Sequence, residues 1–181
     1  MNLRVKIKRV KDVELPRYAK PGDSGFDLVA AEDTIIQPDE TKVISTGLAF
    51  EIPPGYELQV RPRSGISRKT KLRVVLGTVD SGFRGEVGVI VDNISDPNYM
   101  IISDKDEHYL SDCEHSLLLD INGETVWDNT KHYQDGTYII RKGERIAQGV
   151  IAPVITAHFE EADELSDSER GTNGYGSTGT K

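Results

Sequence analysis

Residues Leu72–Val91 read LRVVLGTVDSGFRGEVGVIV. Two apolar, β-branched runs flank the triplet Asp80-Ser81-Gly82, and Asp, Ser and Gly are the residues that turn a chain. The stretch therefore predicts short strands around a tight turn rather than a helix, which would need apolar residues three and four apart. The pattern repeats on both sides. LRVKIKRV, residues 3–10, alternates Leu3, Val5 and Ile7 with Arg4, Lys6 and Lys8, as in a half-buried strand. TIIQPDETKVIST (34–46), LAFEIPPGYELQV (48–60) and ERIAQGVIAPVI (144–155) are further strand-like runs between turn signals. Strands at such spacing predict an all-β sandwich or barrel. Only SGISRKTKL (64–72) reads as a helical turn, with Ser64 or Ser67 placed to cap it.

From Ile94 to Thr137 the texture changes to Asp, His, Tyr and Asn, and Asn122-Gly123 between two apolar pieces predicts a hairpin. Residues 94–137 are expected to be an insertion in a β framework, with 1–93 and 138–159 as its core. Residues 160–181 form an acidic arm that runs into RGTNGYGSTGT (170–180). A glycine-rich end of this kind is either a frayed terminus or backbone kept free to close over a ligand.

The chain has 181 residues, enough for one domain with a real core, and a net charge of -8. That charge argues against coating nucleic acid, whose binding depends on neutralising phosphates. Yet Arg61, Arg63, Arg68, Lys69, Lys71 and Arg73 crowd one stretch without an acidic residue, a local site for a small anion or a solvated face. A single cysteine, Cys113, rules out an intramolecular disulfide framework and suits a reducing compartment. No apolar run is long enough for a membrane span, and the N-terminus lacks a signal peptide's apolar block, so the expected location is the cytoplasm.

Several segments could carry chemistry. RPRSGISRKT (61–70) sets a cation, a hydroxyl and free backbone N–H groups at a helix start, an anion site or simply a basic strand end with a capping serine. Asp80 sits in the turn between two apolar strands, the ordinary place for a turn Asp. Phe83 follows it, and Gly77 and Gly88 lie on the flanking strands, where missing side chains would let a flat ligand approach the backbone. Asp27, among glycines in GDSGFDLVA (22–30), is a carboxylate suited to a hard metal, and Arg145 and Gln148 share one short segment. His108, Cys113 and His115 lack a standard zinc spacing and read as ordinary residues of a surface hairpin.

Taken in order, SGFDLVA, PRSG, GTVDSGFRGEVGV, RKGERIAQ and RGTNGYGSTG resemble the five motifs of the homotrimeric dUTPases. The likeness runs the length of the chain apart from 94–137. It implies a jelly-roll-like β-barrel assembled as a homotrimer, with a flexible C-terminal lid, that hydrolyses dUTP to dUMP and pyrophosphate with Mg²⁺. By the same resemblance Asp80 activates the attacking water, and Asp27 holds the hydrated metal through water. Arg63, Ser64, Gly65 and Gln148 would contact the triphosphate. Main-chain groups of Gly77, Thr78 and Val79, with Gly88 nearby, would read uracil. Against cytosine, one fixed group would be left facing a like partner, at about 1–3 kcal/mol. Phe83 stands where a Tyr is usual, under the deoxyribose, and keeps the ring that excludes a ribose 2′-hydroxyl. Arg170, Tyr175, Gly176, Ser177 and Thr178 would form the lid, Tyr175 on uracil and the others on the γ-phosphate.

The resemblance further implies that each site takes Asp27, Ser64 and Gln148 from one subunit, Asp80 and Phe83 from a second and the lid from a third. Some phage members carry extra residues where 94–137 stand, which suggests a bacterial or phage-infected host cytosol and a regulatory protein as a further partner of that segment. The related dCTP deaminases share the fold but differ around the serine motif and use a glutamate base; PRSG and the full glycine tail favour dUTPase.

Overall fold

The computed structural model describes residues 3–96, 116–128 and 130–173. Among these are twelve strands and one short helix. The strands are β1 (Lys6–Arg9), β2 (Phe26–Val29), β3 (Thr34–Ile36), β4 (Thr41–Glu51) and β5 (Tyr56–Pro62), followed by helix α1 (Ser64–Lys69). After it come β6 (Leu72–Val74), β7 (Gly77–Val79), β8 (Glu86–Asn93), β9 (Ser116–Leu119), β10 (Thr125–Asp128), β11 (Tyr138–Ile140) and β12 (Arg145–Pro153). They form three four-stranded sheets, ordered β1-β4-β8-β6, β10-β9-β11-β3 and β2-β12-β5-β7, the all-β barrel that the strand pattern predicted, in the jelly-roll-like form that the resemblance implied.

Period-two alternation builds the barrel wall. Along β8, Val87, Val89, Val91 and Asn93 are buried while Gly88, Ile90 and Asp92 face outward. Leu28, Ile36, Ile44, Leu48, Leu58, Leu72, Ile140 and Ile146, from all three sheets, are almost completely removed from solvent. Each contributes roughly 1.5–3 kcal/mol by burial. The first strand is shorter than the alternation suggested. Val5 and Ile7 pack against the core only in part, and Leu3 stays exposed, so β1 is a sheet edge.

The stretch 72–91 departs most from its sequence reading. β6 and β8 pair with each other in the first sheet, but β7 between them pairs with β5 in the third. The turn at Asp80 therefore joins two sheets instead of closing a hairpin. Val75 still donates its N–H to the Ile90 carbonyl of β8 at 3.0 Å, and the exposed Leu76 is the one residue between it and β7.

The hairpin at Asn122-Gly123 forms as expected. β9 and β10 pair from Thr125↔Leu119 to Asp128↔Ser116 around Gly123 at φ 77°, a left-handed value that favours glycine. Its β9 lies beside β11, extending a sheet of the barrel.

Candidate nucleotide site

The site begins with a bulge. Gln148 lies opposite Asp27 and Arg145 opposite Val29, so three steps of β12 face two of β2, with the irregularity between Arg145 and Ala147. In a regular strand, residues three apart point to opposite faces. The extra residue brings Arg145 and Gln148 to one face, the face of Asp27. Arg61 of β5 lies opposite Gln148 on the other side and joins the same row.

Asp27 is the centre of this row. Arg63 Nε lies 3.1 Å from Asp27 Oδ1 as an ion pair outside hydrogen-bond alignment, and Arg145 donates from its guanidinium to Asp27 Oδ2 at 3.3 Å. Arg63 also donates to the Arg145 carbonyl at 2.9 Å, tying the end of β5 to the bulge. Both Asp27 and Arg63 are about three-quarters covered, with side-chain exposures of 23% and 24%. A guanidinium held on two sides in this way is fixed in direction and leaves its remaining N–H groups for an anion.

Helix α1 opens directly after Arg63. Its N-cap is Arg63, in extended geometry, with no side-chain cap hydrogen bond. The expected caps are thus corrected: Ser64 is the first helical residue, and Ser67 contributes its backbone N–H to Arg63 O at 3.2 Å. The reason is that Arg63 takes the cap position while its side chain goes to Asp27. The Ser64 hydroxyl is exposed and does no capping, and a Cβ at Gly65 would meet open space. The helix start therefore presents hydroxyl and N–H groups outward beside Arg63.

The basic stretch does not form one patch. Arg63 serves Asp27, Arg61 donates to Gln59 on the same strand, Arg73 donates to the carbonyls of Thr70 and Leu72, and Lys69 donates to Asn122. Only the β5 end of the cluster lies in the row with Asp27 and Gln148.

β7 runs along the edge of the same sheet from Gly77, close to the row, through Thr78 and Val79 away from it, and Asp80 and Phe83 follow in the turn beyond. Gly77 lies opposite Val60 and Val79 opposite Leu58, which brings Asp80 level with Glu57, before the start of the row. From Glu57 to Arg63 the extended chain covers on the order of 20 Å at ~3.3 Å per residue. Asp80 is exposed, and its carbonyl accepts a hydrogen bond from Phe83 N at 3.0 Å in a turn. The Phe83 ring lies over Gly85, where a Cβ would come within 2.5 Å of it. Sequence reasoning missed Gly85, whose signal was its place two residues after the ring.

The glycines expected to admit a flat ligand have neighbours in their own chain. A Cβ at Gly77 would lie 3.2 Å from Val60 Cβ, and one at Gly88 would lie 2.4 Å from Val43 Cγ1. Gly88 lies opposite Ser45 in the first sheet. Arg170 is exposed and donates to the Asn173 carbonyl at 3.0 Å, in a turn after Ser168. Tyr175, Gly176, Ser177 and Thr178 fall outside the described residues, as do His108, Cys113 and His115.

One carboxylate, engaged on both oxygens by arginines, fits a metal only through water. No cluster of three or more His, Cys, Asp or Glu that could hold an ion directly occurs among the described residues. A hydrated Mg²⁺ bound by substrate phosphates and one carboxylate is compatible with that arrangement.

A family model, dUTPase, matches residues 11–103 and 130–179. The deoxyuridine 5'-triphosphate nucleotidohydrolase of Nautilia profundicola is 39% identical over 98% of this chain and 99% of its own. That of Bdellovibrio bacteriovorus is 40% identical over 98% and 97%. Among solved structures, the Staphylococcus bacteriophage 80alpha dUTPase with dUPNHPP superimposes at a TM-score of 0.85, with 33% identity over 98% of this chain and 99% of that one. The dUTPase from phage phi11 of S. aureus, in which a species-specific insert was visualised, gives 0.77 at 28% identity over 91% and 99%.

Proposed function

This chain belongs to the dUTPase family, and we propose that it is a homotrimeric, Mg²⁺-dependent dUTP diphosphatase whose sites are each assembled from more than one subunit. The observation that carries the reading is the placement of Arg63, Ser64 and Gln148 with Asp27 at one sheet end, on the order of 20 Å from Asp80. Bonds made and broken at one phosphorus need both groups within a few ångströms, which supports taking Asp80 from a neighbouring copy. Exposed Val43, Leu76, Ile155 and Phe159 are apolar surface suited to such an assembly.

In this reading Ser64 and Gly65 hold the bridging oxygen between the α- and β-phosphates, and Arg63 and Gln148 hold the phosphate chain. Asp80 of the neighbouring copy accepts a proton from a water as that water attacks the α-phosphorus. The α–β bridging P–O bond breaks, its electron pair leaves with pyrophosphate, and dUMP remains. Bound Mg²⁺ would neutralise charge on the phosphate oxygens, held by Asp27 through water. Main-chain groups at Gly77–Val79 would select uracil, and Phe83 the deoxyribose. Arg170, Tyr175, Gly176, Ser177 and Thr178 would close over the nucleotide.

The test is pyrophosphate release from dUTP, dCTP, UTP and dTTP. Turnover confined to dUTP and abolished by chelation is expected. Ammonia release from dCTP would transfer the chain to the deaminase reading, and absence of dUTP turnover would sink the proposal. A second role, docking of a regulatory protein on residues 94–137, draws support from the likeness to the 80alpha protein, which is described in terms of a proto-oncogenic G protein-like mechanism controlling transfer of virulence genes.

A further inference from the structure

The hairpin β9–β10 lies wholly within residues 104–129, which the family match leaves out, yet its tip touches the helix that carries Ser64. Gly123, at φ 77°, approaches so closely that a Cβ there would lie 2.6 Å from the Lys69 carbonyl oxygen, at the last residue of α1. Lys69 Nζ donates to Asn122 Oδ1 at 3.3 Å. The tip is itself held stiffly. Asn122 N and Glu124 N donate to Asp120 Oδ1 at 2.7 and 2.9 Å, while Asp120 N donates to the Glu124 carbonyl and Gly123 N to the Asp120 carbonyl.

Apart from its N-cap Arg63, which Asp27 and the Arg145 carbonyl hold, the helix has few fixed points of its own. It has six residues, no side-chain N-cap, and one buried side chain, Ile66. Its C-terminal end is closed by Thr70, whose N–H and hydroxyl both donate to the Ile66 carbonyl, and the next residue, Lys71, donates its N–H to the buried Tyr138 hydroxyl of β11. An isolated helix this short does not hold its shape in water, so its position is set by what packs against it.

We infer that the Asn122–Gly123 turn is a positioning element for α1, and through it for Ser64 and Gly65. The inference rests on the proposed dUTP hydrolysis for its kinetic consequence, but its structural content does not. The hairpin is thereby part of how the site is built, although it lies outside the five motifs. Replacing 94–137 by a short turn would be harmless if the motifs alone made the site; with the buttress removed, turnover falls.

The experiment compares Gly123→Ala and Asn122→Ala with Gly55→Ala. Gly55 has a similar left-handed φ of 82° but nothing within 4 Å of an added Cβ, so it reproduces the backbone strain without the contact. In the full-length assembly, kcat/KM for dUTP should fall at least about tenfold in Gly123→Ala, since misplacing a binding group by about 1 Å can cost up to 10²-fold. Inhibition by dUMP, which has no β- or γ-phosphate, should stay within about twofold of the unmutated protein. A general loss of folded protein would depress both together, and Gly55→Ala should move neither. Asn122→Ala, which keeps the glycine and folds without strain, should give a smaller loss in the same direction.

Hydrogen exchange at the amides of Ser67 and Thr70, bonded to Arg63 and Ile66 carbonyls, reads the helix directly. It should quicken in Gly123→Ala and Asn122→Ala and not in Gly55→Ala. Unchanged exchange in both hairpin variants, whatever their kinetics, would overturn the inference. Faster exchange in a protein that never turned over dUTP would leave the buttress standing and remove the catalytic reading instead.

Discussion

The two ends of the sheet β2-β12-β5-β7 are built on opposite plans. At one end a carboxylate and two arginines are held together by a pair of ion contacts and a carbonyl bond, with a bulge setting Gln148 in the same row. At the other end Asp80 and Phe83 stand exposed on a turn that leads out of the sheet. The first end is built within one chain; in the proposed assembly the second is completed by another copy. A triphosphate needs rigid donors fixed in advance, because each disordered side chain would be ordered at the expense of binding. A base that attacks through water needs access, and access comes from standing at an edge.

Asp80→Asn tests the open end and carries the largest effect. Loss of the proton acceptor should lower kcat by about 10²–10⁴-fold while dUTP still binds, measured by single-turnover hydrolysis and by calorimetry with a non-hydrolysable analogue. A variant that keeps more than a tenth of the activity would make Asp80 an ordinary turn residue. Asp27→Asn tests the locked end. It removes the partner of Arg63 and Arg145 and the carboxylate proposed to hold the hydrated metal, and a loss of about 10–100-fold is expected, as for residues in a metal's outer sphere. The loss should shrink as Mg²⁺ is raised; a Mg²⁺-independent loss would assign Asp27 to orienting Arg63 alone.

Asp33 provides the control for that comparison, being a carboxylate bonded by an arginine outside the proposed site. The backbone N–H of Lys142, with the Arg141 guanidinium, holds its carboxyl below the usual carboxylate range. A lowered folded value means that its contribution to stability is present above the unfolded value, about 3.9, and is lost as pH falls through the folded one. Because the pair is half exposed, Asp33→Asn should lower Tm at pH 7 by at most about 3 °C. The difference should vanish at low pH, with kcat unchanged throughout. A fall in kcat would mean that the second arginine pair also shapes the site.

Much of this was legible in sequence because the signals were local. Alternation in β8, the turn residues around Asp80 and the Asn122-Gly123 hairpin each depend on neighbours a few residues away. The motif order named the family before any contact was known. What sequence hid depends on pairing. Nothing in RKGERIAQ says that an extra residue between Arg145 and Ala147 puts Arg145 and Gln148 on one face. Nothing in LRVVLGTV says that β6 and β7 join different sheets, because both pieces are equally apolar. The serine expected as a cap was displaced by Arg63, a choice made by Asp27 on a distant strand. The contact of Gly123 with Lys69 was hidden for the same reason, since it joins residues that no local pattern relates.

The central claim, that the two ends of the sheet serve different sites, has a direct test in mixed assemblies. Asp80→Asn and Ser64→Ala proteins, each expected to be inactive alone, would be unfolded together and refolded at equal concentration so that subunits assort at random. In every mixed threefold ring one site takes Ser64 from an Asp80→Asn chain and Asp80 from a Ser64→Ala chain, and that site is whole. About three-quarters of rings are mixed, so dUTP turnover should recover to about a quarter of the unmutated level under closed threefold symmetry. If Asp80 and Ser64 of one site came from the same chain, no mixture could rebuild it. Activity that stays at the level of the separate mutants, in rings shown by native mass spectrometry to be mixed, would contradict the account.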